Sequence, residues 1–259
     1  MALGRVVLVT GAGSGIGRAS ALDFASRGDA VALISRSPDE ITETARLIEE
    51  KGGKALPLVA DISEEAGMRR AVERVVADFG GLDVVVANAG INGVWAPIDE
   101  LKPDEWDRTI AVNLRGTYLT LHLTIPHLRR AEAPAIVVVT SINGTRTFTS
   151  AGATAYSATK AAQLALVQQL ALELGRDRIR INAVCPGAIE TRIEDNTDRR
   201  NTGKSGIPVV WPEGEIPLTG GVPGTAEDVA EAITFLCSAA ARHITGTPVF
   251  IDGGQSLLR

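Results

Sequence analysis

Seven short runs of almost uninterrupted apolar residues constrain the fold of this chain more than any other feature. The runs cover residues 5–10, 30–35, 54–60, 82–90, 135–141, 179–187 and 247–254. Strands buried on both faces of a parallel sheet are apolar throughout, whereas half-exposed strands alternate. Helical patterns fill the intervals at 15–28, 38–52, 63–80, 103–130, 155–175 and 225–240. This order predicts an α/β fold, a doubly wound parallel sheet of seven strands with helices on both faces.

A single domain spanning residues 1–259 accounts for the whole pattern. Hydrophobic residues make up 45% of the chain, and no linker interrupts the alternation of strands and helices. The exception is segment 191–224, which is rich in glycine, proline and charge and lacks periodicity. A long irregular stretch in a compact domain is typical of a binding loop or of a disordered excursion.

Composition and charge argue against several classes of function. The formal net charge of −5 speaks against nucleic acid or an anionic membrane surface as the main partner. The sequence has neither a secretion signal nor a stretch of about 18 uninterrupted apolar residues, so we expect a cytoplasmic protein without a membrane span. Cys185 and Cys237 lie in apolar runs and are expected to be buried thiols. The three histidines are scattered, with no cysteine at ligand spacing, so no metal site is expected.

A glycine-rich turn at residues 10–17, TGAGSGIG, follows the first strand and opens the first helix. Such a turn presents free backbone N–H groups and the positive end of a helix to a phosphate. The commonest dinucleotide pattern, G-x-G-x-x-G, would need glycine where Ile16 stands, and a P-loop would need a lysine after the turn. The glycines present are Gly11, Gly15 and Gly17. They predict a nicotinamide dinucleotide site, with a tight turn that serves only packing as the alternative.

The ends of the second and third strands indicate which dinucleotide is bound. An acidic residue at the end of the second strand would bind the ribose 2′-hydroxyl of NAD, but this strand ends in Ser35 and Arg36. Arg36 is suited to pair with the 2′-phosphate of NADP, with an exposed surface arginine as the alternative. We therefore predict NADP(H) as the preferred cofactor and NAD(H) as possible. Asp61 either accepts from the adenine amino group or caps a helix.

Tyr156 and Lys160 lie four residues apart near the start of a predicted helix and share one of its faces. A free tyrosine has a pKa of about 10, and a neighbouring ammonium group lowers it by favouring the phenolate. The pair can therefore act as an acid/base device. Ser141 ends the preceding strand, at the edge of the sheet where such folds bind ligands. Asn113 lies within the predicted helix 103–130, where a buried amide needs a partner.

Together these motifs resemble the short-chain dehydrogenase/reductase family over nearly the whole chain, from about Arg5 to Gly254. In family order they are T-G-x-x-x-G-x-G, Asn88-Ala89-Gly90, Asn113, Ser141, Tyr156-x-x-x-Lys160 and Pro186-Gly187. The resemblance implies a Rossmann fold and an NAD(P)-dependent oxidoreductase that interconverts a secondary alcohol and a ketone or aldehyde. It also implies a homo-oligomer, a tetramer or a dimer, with the last strand and the helices at 103–130 and 155–175 as contact surfaces.

The resemblance also implies a role for each matching position. Tyr156 is similar to the general acid/base that protonates the alkoxide, and Lys160 to the residue that lowers its pKa and binds the nicotinamide ribose. Ser141 would polarise the substrate carbonyl, and Asn113 would hold a water in a proton relay through Lys160. Besides Tyr156 and Lys160, the positions similar to cofactor contacts are Gly11, Ser14, Gly15, Ile16, Gly17, Arg36, Asp61, Ile62, Asn88, Ala89, Gly90, Pro186, Gly187, Ile189 and Thr191.

Two stretches depart from the family pattern. The interval between Ser141 and Tyr156 is slightly longer than usual, so a larger loop is expected over the substrate, with Arg146 and Phe148 as candidate pocket residues. Thr140 is a second candidate for the catalytic hydroxyl, although strand alternation points it the other way.

Segment 191–224 corresponds to the variable substrate loop of the family. Its mixed charges do not define an anion site, and we expect a solvated, flexible lid. Trp95 and Trp211 are candidates for the wall of an apolar pocket.

Two rival functions remain. An epimerase or dehydratase of the same superfamily usually has a sizeable C-terminal substrate domain, for which this chain offers no sequence. A non-catalytic, dinucleotide-sensing binding protein would keep the fold without turnover, and the complete set of Asn113, Ser141, Tyr156 and Lys160 argues against it.

Overall fold

A computed structural model describes residues 4–207 and 216–258, apart from the side chains of Arg192 and Glu194. Its strands are β1 (Val6–Thr10), β2 (Ala30–Ser35), β3 (Lys54–Val59), β4 (Val84–Ala87), β5 (Gly93–Trp95), β6 (Ala135–Val139), β7 (Arg180–Pro186), β8 (Thr197–Arg199) and β9 (Pro248–Ile251). Seven of them form one parallel sheet in the order β3-β2-β1-β4-β6-β7-β9. The predicted seven-stranded, doubly wound Rossmann fold is therefore confirmed. The winding changes direction between β1 and β4, which is where such sheets bind ligands.

Several of the helices begin or end at residues suited to those positions. They are α1 (Gly15–Ser26), α2 (Pro38–Glu49), α3 (Glu65–Phe79), α4 (Pro103–Thr109), α5 (Gly116–Leu128), α6 (Thr154–Leu174) and α7 (Ala226–Leu236). Proline opens α2 and α4, where its missing N–H costs nothing. Thr225 and Asp228 form a capping box that starts α7, and α3 ends at Gly80 in the left-handed conformation.

The alternation of side chains along each strand builds a core on both faces of the sheet. Val6 and Leu8 of β1 pack into one cluster with α3, α5 and α6. Val7 and Val9 pack into another cluster with α1, α2 and α7. Because both faces are covered, the strands are apolar at nearly every position, which is the pattern that predicts a parallel sheet.

The structure differs from the sequence prediction in two places. The helix expected at 103–130 is divided into α4 and α5 by a π-helical turn, Ile110–Arg115, that contains Asn113. The short strands β5 and β8, which pair in parallel with each other, were not predicted, because three residues are too few to show a period. Cys185 and Cys237 are buried free thiols, as expected. None of the described helices is long and apolar enough to cross a membrane.

Candidate active site

A cleft of about 400 Å³ lies at the carboxyl ends of β1, β2, β3 and β4. Most of the residues that the motifs indicate for the cofactor line it: Gly11, Ser14, Gly15, Ile16, Arg36, Asp61, Ile62, Asn88, Ala89, Gly90 and Thr191. Lining residues that the motifs did not indicate include Gly13, Glu40, Val112, Ile193 and Asp195. The structure thus collects residues from six separate parts of the sequence at one edge of the sheet.

The glycines of the turn serve two purposes. Gly11 adopts a left-handed φ of +67°, and a Cβ there would lie 2.8 Å from Nδ2 of Asn88. Gly17 is buried beneath the turn and does not line the cleft; a Cβ there would overlap the carbonyl oxygen of Gly11. These two glycines let the backbone fold closely on itself. Gly15, beside Thr191, faces the cleft.

Thr10 and Asn88 hold the turn against the end of β4. The hydroxyl of Thr10 accepts hydrogen bonds from the N–H groups of Asn88 (3.0 Å) and Ala89 (3.1 Å). The side-chain amide of Asn88 donates to the carbonyl of Thr10 at 2.9 Å. The ends of β1 and β4 are therefore joined by side-chain hydrogen bonds as well as by the backbone hydrogen bonds of the sheet.

The far end of the cleft carries charges of both signs. Nη1 of Arg36 lies 3.6 Å from a carboxylate oxygen of Asp61. Partial burial would raise the pKa of Asp61, but hydrogen bonds from Ser63 and the charge of Arg36 lower it below its usual value. Glu40, in the first turn of α2, brings a second carboxylate to the wall, with Oε2 3.0 Å from where a Cβ of Gly13 would lie.

Tyr156 and Lys160 are both buried on the first turns of α6. Nζ of Lys160 lies 5.5 Å from the centre of the Tyr156 ring and donates to the carbonyl of Val139, the last residue of β6, at 2.9 Å. Burial lowers the pKa of Lys160 to about 8, and the nearby thiol of Cys185 opposes this in part. Lys160 can therefore change its charge near neutral pH.

Asn113 lies at the centre of the π-helical turn with its side chain fully buried. Oδ1 accepts from the N–H of Ile91 (2.8 Å), and Nδ2 donates to the carbonyl of Ile91 (2.9 Å) and to the hydroxyl of Thr159 (3.1 Å). A Cβ on Gly90 would lie 3.2 Å from Oδ1 of Asn113 and 3.7 Å from Nζ of Lys160. Asn113 and Lys160 thus meet at the Gly90 end of the cleft.

Ser141 follows β6, two residues after the carbonyl that binds Lys160. Its Oγ accepts a hydrogen bond from the N–H of Asn143 at 3.1 Å, which forms a local turn. The neighbouring Thr140 donates instead to the carbonyl of Val184 at 2.8 Å. The alternation expected of a strand therefore separates the two hydroxyls, and Thr140 is already engaged within the sheet.

Of the predicted cofactor contacts at the end of β7 and after it, only Thr191 lines the cleft. The N–H of Gly187 donates to the carbonyl of Ile251 at 3.0 Å, and Ile189 pairs with Gly224 in an isolated bridge. Pro186, Gly187 and Ile189 do not line the cleft. Thr191 does, with its Cβ 3.3 Å from where a Cβ of Gly15 would lie.

The described part of segment 191–224 is tied to the body of the protein. Arg200 makes a bidentate pair with Glu105 of α4, at 2.9 and 2.7 Å. Lys204 pairs with Glu100 at 2.7 Å, and β8 lies along β5. Lys204 stays exposed, as expected of a solvated segment, whereas Arg200 is half-buried in its pair with Glu105.

The candidates for the substrate pocket fall in different places. The ring centres of Trp95 and Tyr156 are 6.4 Å apart. The guanidinium of Arg199 lies 5.1 Å from the centre of the Trp95 ring. Arg146 stacks on Phe250 of β9 at 3.5 Å, and Phe148 is exposed. Trp211 lies outside the described residues. Trp95 is thus the candidate that the structure brings to Tyr156.

Comparison with known proteins supplies the family. A family model described as enoyl-(acyl carrier protein) reductase matches residues 11–256. A crystal structure of a 3-ketoacyl-ACP reductase from Sinorhizobium meliloti 1021 is 64% identical, with a TM-score of 0.95 over 98% of this chain and 100% of that one. The 3-oxoacyl-(acyl-carrier-protein) reductase FabG of Thermotoga maritima is 35% identical over 97% of each chain. The 3-ketoacyl-(acyl-carrier-protein) reductase of Brucella melitensis complexed with NADH is 35% identical, with a TM-score of 0.85 over 98% of each chain.

This chain belongs to the short-chain dehydrogenase/reductase family. As a member it is an NAD(P)-dependent oxidoreductase that acts on CH–OH and C=O groups. The family's motifs account for the cleft and for the cluster at Lys160. They did not indicate Glu40, which could have been suspected from its place just after β2.

Proposed function

We propose that this enzyme interconverts a secondary alcohol and a ketone or aldehyde, with Tyr156 as the general acid/base. The observation that carries the proposal is the buried ammonium group of Lys160, 5.5 Å from the Tyr156 ring and beside Gly90 of the cleft. Among the described residues no carboxylate pairs with it. A buried charge without such a partner costs free energy, so it is expected where function requires it.

The proposed chemistry divides the work between the protein and the dinucleotide. In reduction, Tyr156 donates its hydroxyl proton to the alkoxide; in oxidation, its phenolate accepts the proton of the alcohol. The charge on Lys160 stabilises the phenolate, and the hydroxyl of Ser141 donates to the substrate oxygen. When bound, the nicotinamide ring supplies or accepts the hydride.

We assign the dinucleotide to the cleft at the ends of β1–β4. The residues fit a pyrophosphate, because α1 begins at Gly15 with no acidic residue in its first turn and Ser14 makes no capping hydrogen bond. The first N–H groups of the helix therefore remain available to an anion. Lys160 would bind the nicotinamide ribose with the protons that Val139 does not use, and Ile189 and Thr191 would lie at the carboxamide.

We propose NADP(H) as the preferred cofactor, because Arg36 lies in the wall of the cleft just beyond β2. Glu40 in the same wall supports a second candidate, NAD(H), since a carboxylate repels a 2′-phosphate and accepts from a 2′-hydroxyl. Arg36→Ala should reduce the ratio of kcat/KM for NADPH over NADH by about tenfold. Glu40→Gln should raise it, and Glu43→Gln, on α2 but outside the cleft, should leave it unchanged. An unchanged ratio in Arg36→Ala would contradict the NADP(H) assignment.

The activity itself is tested with the purified chain, both cofactors and a panel of ketones, aldehydes and secondary alcohols. The panel includes a 3-oxoacyl thioester, since the relatives described above are named for that class. We expect cofactor-dependent absorbance changes with at least one carbonyl compound. Tight cofactor binding without turnover of any compound would instead support the non-catalytic binding protein.

We further propose that segment 191–224 forms the substrate side of the site and that the enzyme is a homo-oligomer, a dimer or a tetramer. Support for the first comes from Thr191 in the cleft and from β8, which brings Arg199 to Trp95. Light scattering of the purified chain at micromolar concentration tests the second, and a monomer would contradict it.

A further inference from the structure

Arg199 lies on β8 directly beside Trp95 of β5. The two residues are paired in register across the parallel strands, so their side chains leave this small sheet on the same side. The guanidinium of Arg199 lies 5.1 Å from the centre of the Trp95 ring, within the range of a cation–π contact. The alternation of a strand directs the preceding residue, Asp198, to the opposite side. The segment after β7 thus brings a positive charge to this aromatic ring.

The Trp95 ring also lies next to the proposed acid/base. Its centre is 6.4 Å from the centre of the Tyr156 ring, so the guanidinium of Arg199 is no farther from Tyr156 than these two distances taken together. Tyr156 is 7% exposed, Trp95 is partly buried and Arg199 is exposed. The three side chains therefore connect the surface of the protein with the proposed acid/base.

Contacts outside the pair hold Trp95 and Arg199 in place. Nε1 of Trp95 donates to the carbonyl of Asn92 at 3.2 Å, and the N–H of Arg200 donates to the carbonyl of Trp95 at 2.9 Å. The bidentate pair of Arg200 with Glu105 fixes the end of the same strand. A side chain on a strand that is already held loses less conformational freedom when it binds a ligand, which favours a role for Arg199 in recognition.

We propose that Arg199 selects substrates that carry a carboxylate: the reacting carbonyl lies at Tyr156, the substrate chain crosses Trp95, and the carboxylate pairs with the guanidinium of Arg199. A guanidinium matches a carboxylate through two parallel hydrogen bonds, and the indole ring suits the apolar chain between the two groups. The substrates of this class are linear oxo acids and the corresponding hydroxy acids. This inference rests on the proposed function, because it places the reacting carbonyl at Tyr156.

The test compares two oxo acids with their own methyl esters, which have the same carbonyl and no charge. The acids are levulinate and its homologue with one more methylene group between the carbonyl and the carboxylate. We measure kcat/KM at saturating cofactor for the parent, Arg199→Gln and Arg199→Lys. Arg176→Gln is the matched control, because it removes the same charge from an exposed arginine in the turn before β7, at the opposite edge of the sheet.

We expect the parent to prefer each acid over its ester. Arg199→Gln should reduce kcat/KM for the acids by about 10–100-fold and leave the esters within about twofold of the parent. Arg199→Lys, which keeps the charge without the planar fork, should lie between the two, and Arg176→Gln should match the parent. An equal loss for acids and esters would mean that Arg199 only supports the Trp95 ring. That result, or a parent without preference for the acids, would overturn the inference.

Ligand-observed NMR of the cofactor complex gives the Kd of the same acids and esters without any turnover. The Kd of the acids should rise about tenfold or more in Arg199→Gln, and it should do so in a Tyr156→Phe background as well. Equal Kd values for the acids in the parent and in Arg199→Gln would overturn the inference. Full turnover by Tyr156→Phe would instead overturn the proposed function, so the two failures are distinct.

Discussion

The two ends of the candidate site are held together by different kinds of contact. At the nucleotide end, the hydroxyl of Thr10 and the backbone of Asn88 tie adjacent strand ends together, and close glycine contacts fix the turn. At the substrate end, Arg200 pairs with Glu105 and Lys204 with Glu100, and these ion pairs hold segment 191–224 to the body of the protein. The partners are 95 positions apart in the first pair and 104 positions apart in the second. The first arrangement depends on the backbone and tolerates little change. The second depends on a few surface charges, so the residues that hold segment 191–224 can be replaced while the cofactor site stays intact.

Lys160 lies where the two ends meet, and its replacement should have the largest effect. Burial lowers its pKa from 10.5 to about 8, so the unfolded chain binds this proton more tightly than the folded one. Stability of the parent therefore rises as the pH increases from about 8 to 10.5. Lys160→Met should lose activity by about 100-fold or more yet gain roughly 3 kcal/mol of stability at neutral pH.

Urea unfolding of the parent and Lys160→Met across pH 7 to 11 measures this effect. The difference in unfolding free energy between Lys160→Met and the parent should be constant at the acidic end of this range. It should vanish as the pH rises through the folded and then the unfolded pKa of Lys160. An advantage that grows with pH would contradict the assignment of a buried ammonium group.

Gly17→Ala tests whether the nucleotide end tolerates as little change as its contacts indicate. The added Cβ would overlap the carbonyl of Gly11 and approach Nδ2 of Asn88 to 2.6 Å, so the turn must shift. We expect a loss of about 1–3 kcal/mol in unfolding free energy together with weaker cofactor binding. Gly67→Ala is the matched control: it lies in α3, meets nothing within 4 Å and should stabilise the protein by about 0.5–1 kcal/mol. Equal effects at the two positions would refute the distinction.

Arg200→Ala should have the smallest effect on stability and the clearest effect on one end of the site. Its guanidinium holds the pKa of Glu105 down to about 2 through their hydrogen bond, so the pair is ionised throughout the neutral range. We expect faster proteolysis within segment 191–224 and a higher KM for substrate, with an unchanged Kd for cofactor. Arg69→Ala, which breaks an exposed pair within α3, should change none of these. A weaker cofactor affinity in Arg200→Ala would show that the two ends are coupled.

The same contrast explains what could be predicted from the sequence. The sheet follows from apolar runs, and the residues at the ends of β1–β4 come together because parallel strands share an edge, so a motif read along the chain locates them. Tyr156 and Lys160 come together because residues four apart lie on the same face of a helix.

The pairing of Arg200 with Glu105 depends on contacts remote in sequence, which no local pattern reveals. The π-helical turn at Asn113 depends on how that turn packs against α6, where Asn113 donates to Thr159, so the sequence indicates a polar residue there but not its partner.

The most direct test of the account compares Tyr156→Phe with Tyr118→Phe, the two single replacements that remove one phenolic hydroxyl each. Tyr118 is half-exposed on α5 and stacks on His122, so its variant should behave as the parent. Measured with the best substrate of the panel, Tyr156→Phe should lose about 10²–10⁴-fold in kcat while its cofactor Kd stays within about twofold, because the cleft is unaltered. Undiminished turnover by Tyr156→Phe would contradict the assignment of Tyr156 as the acid/base.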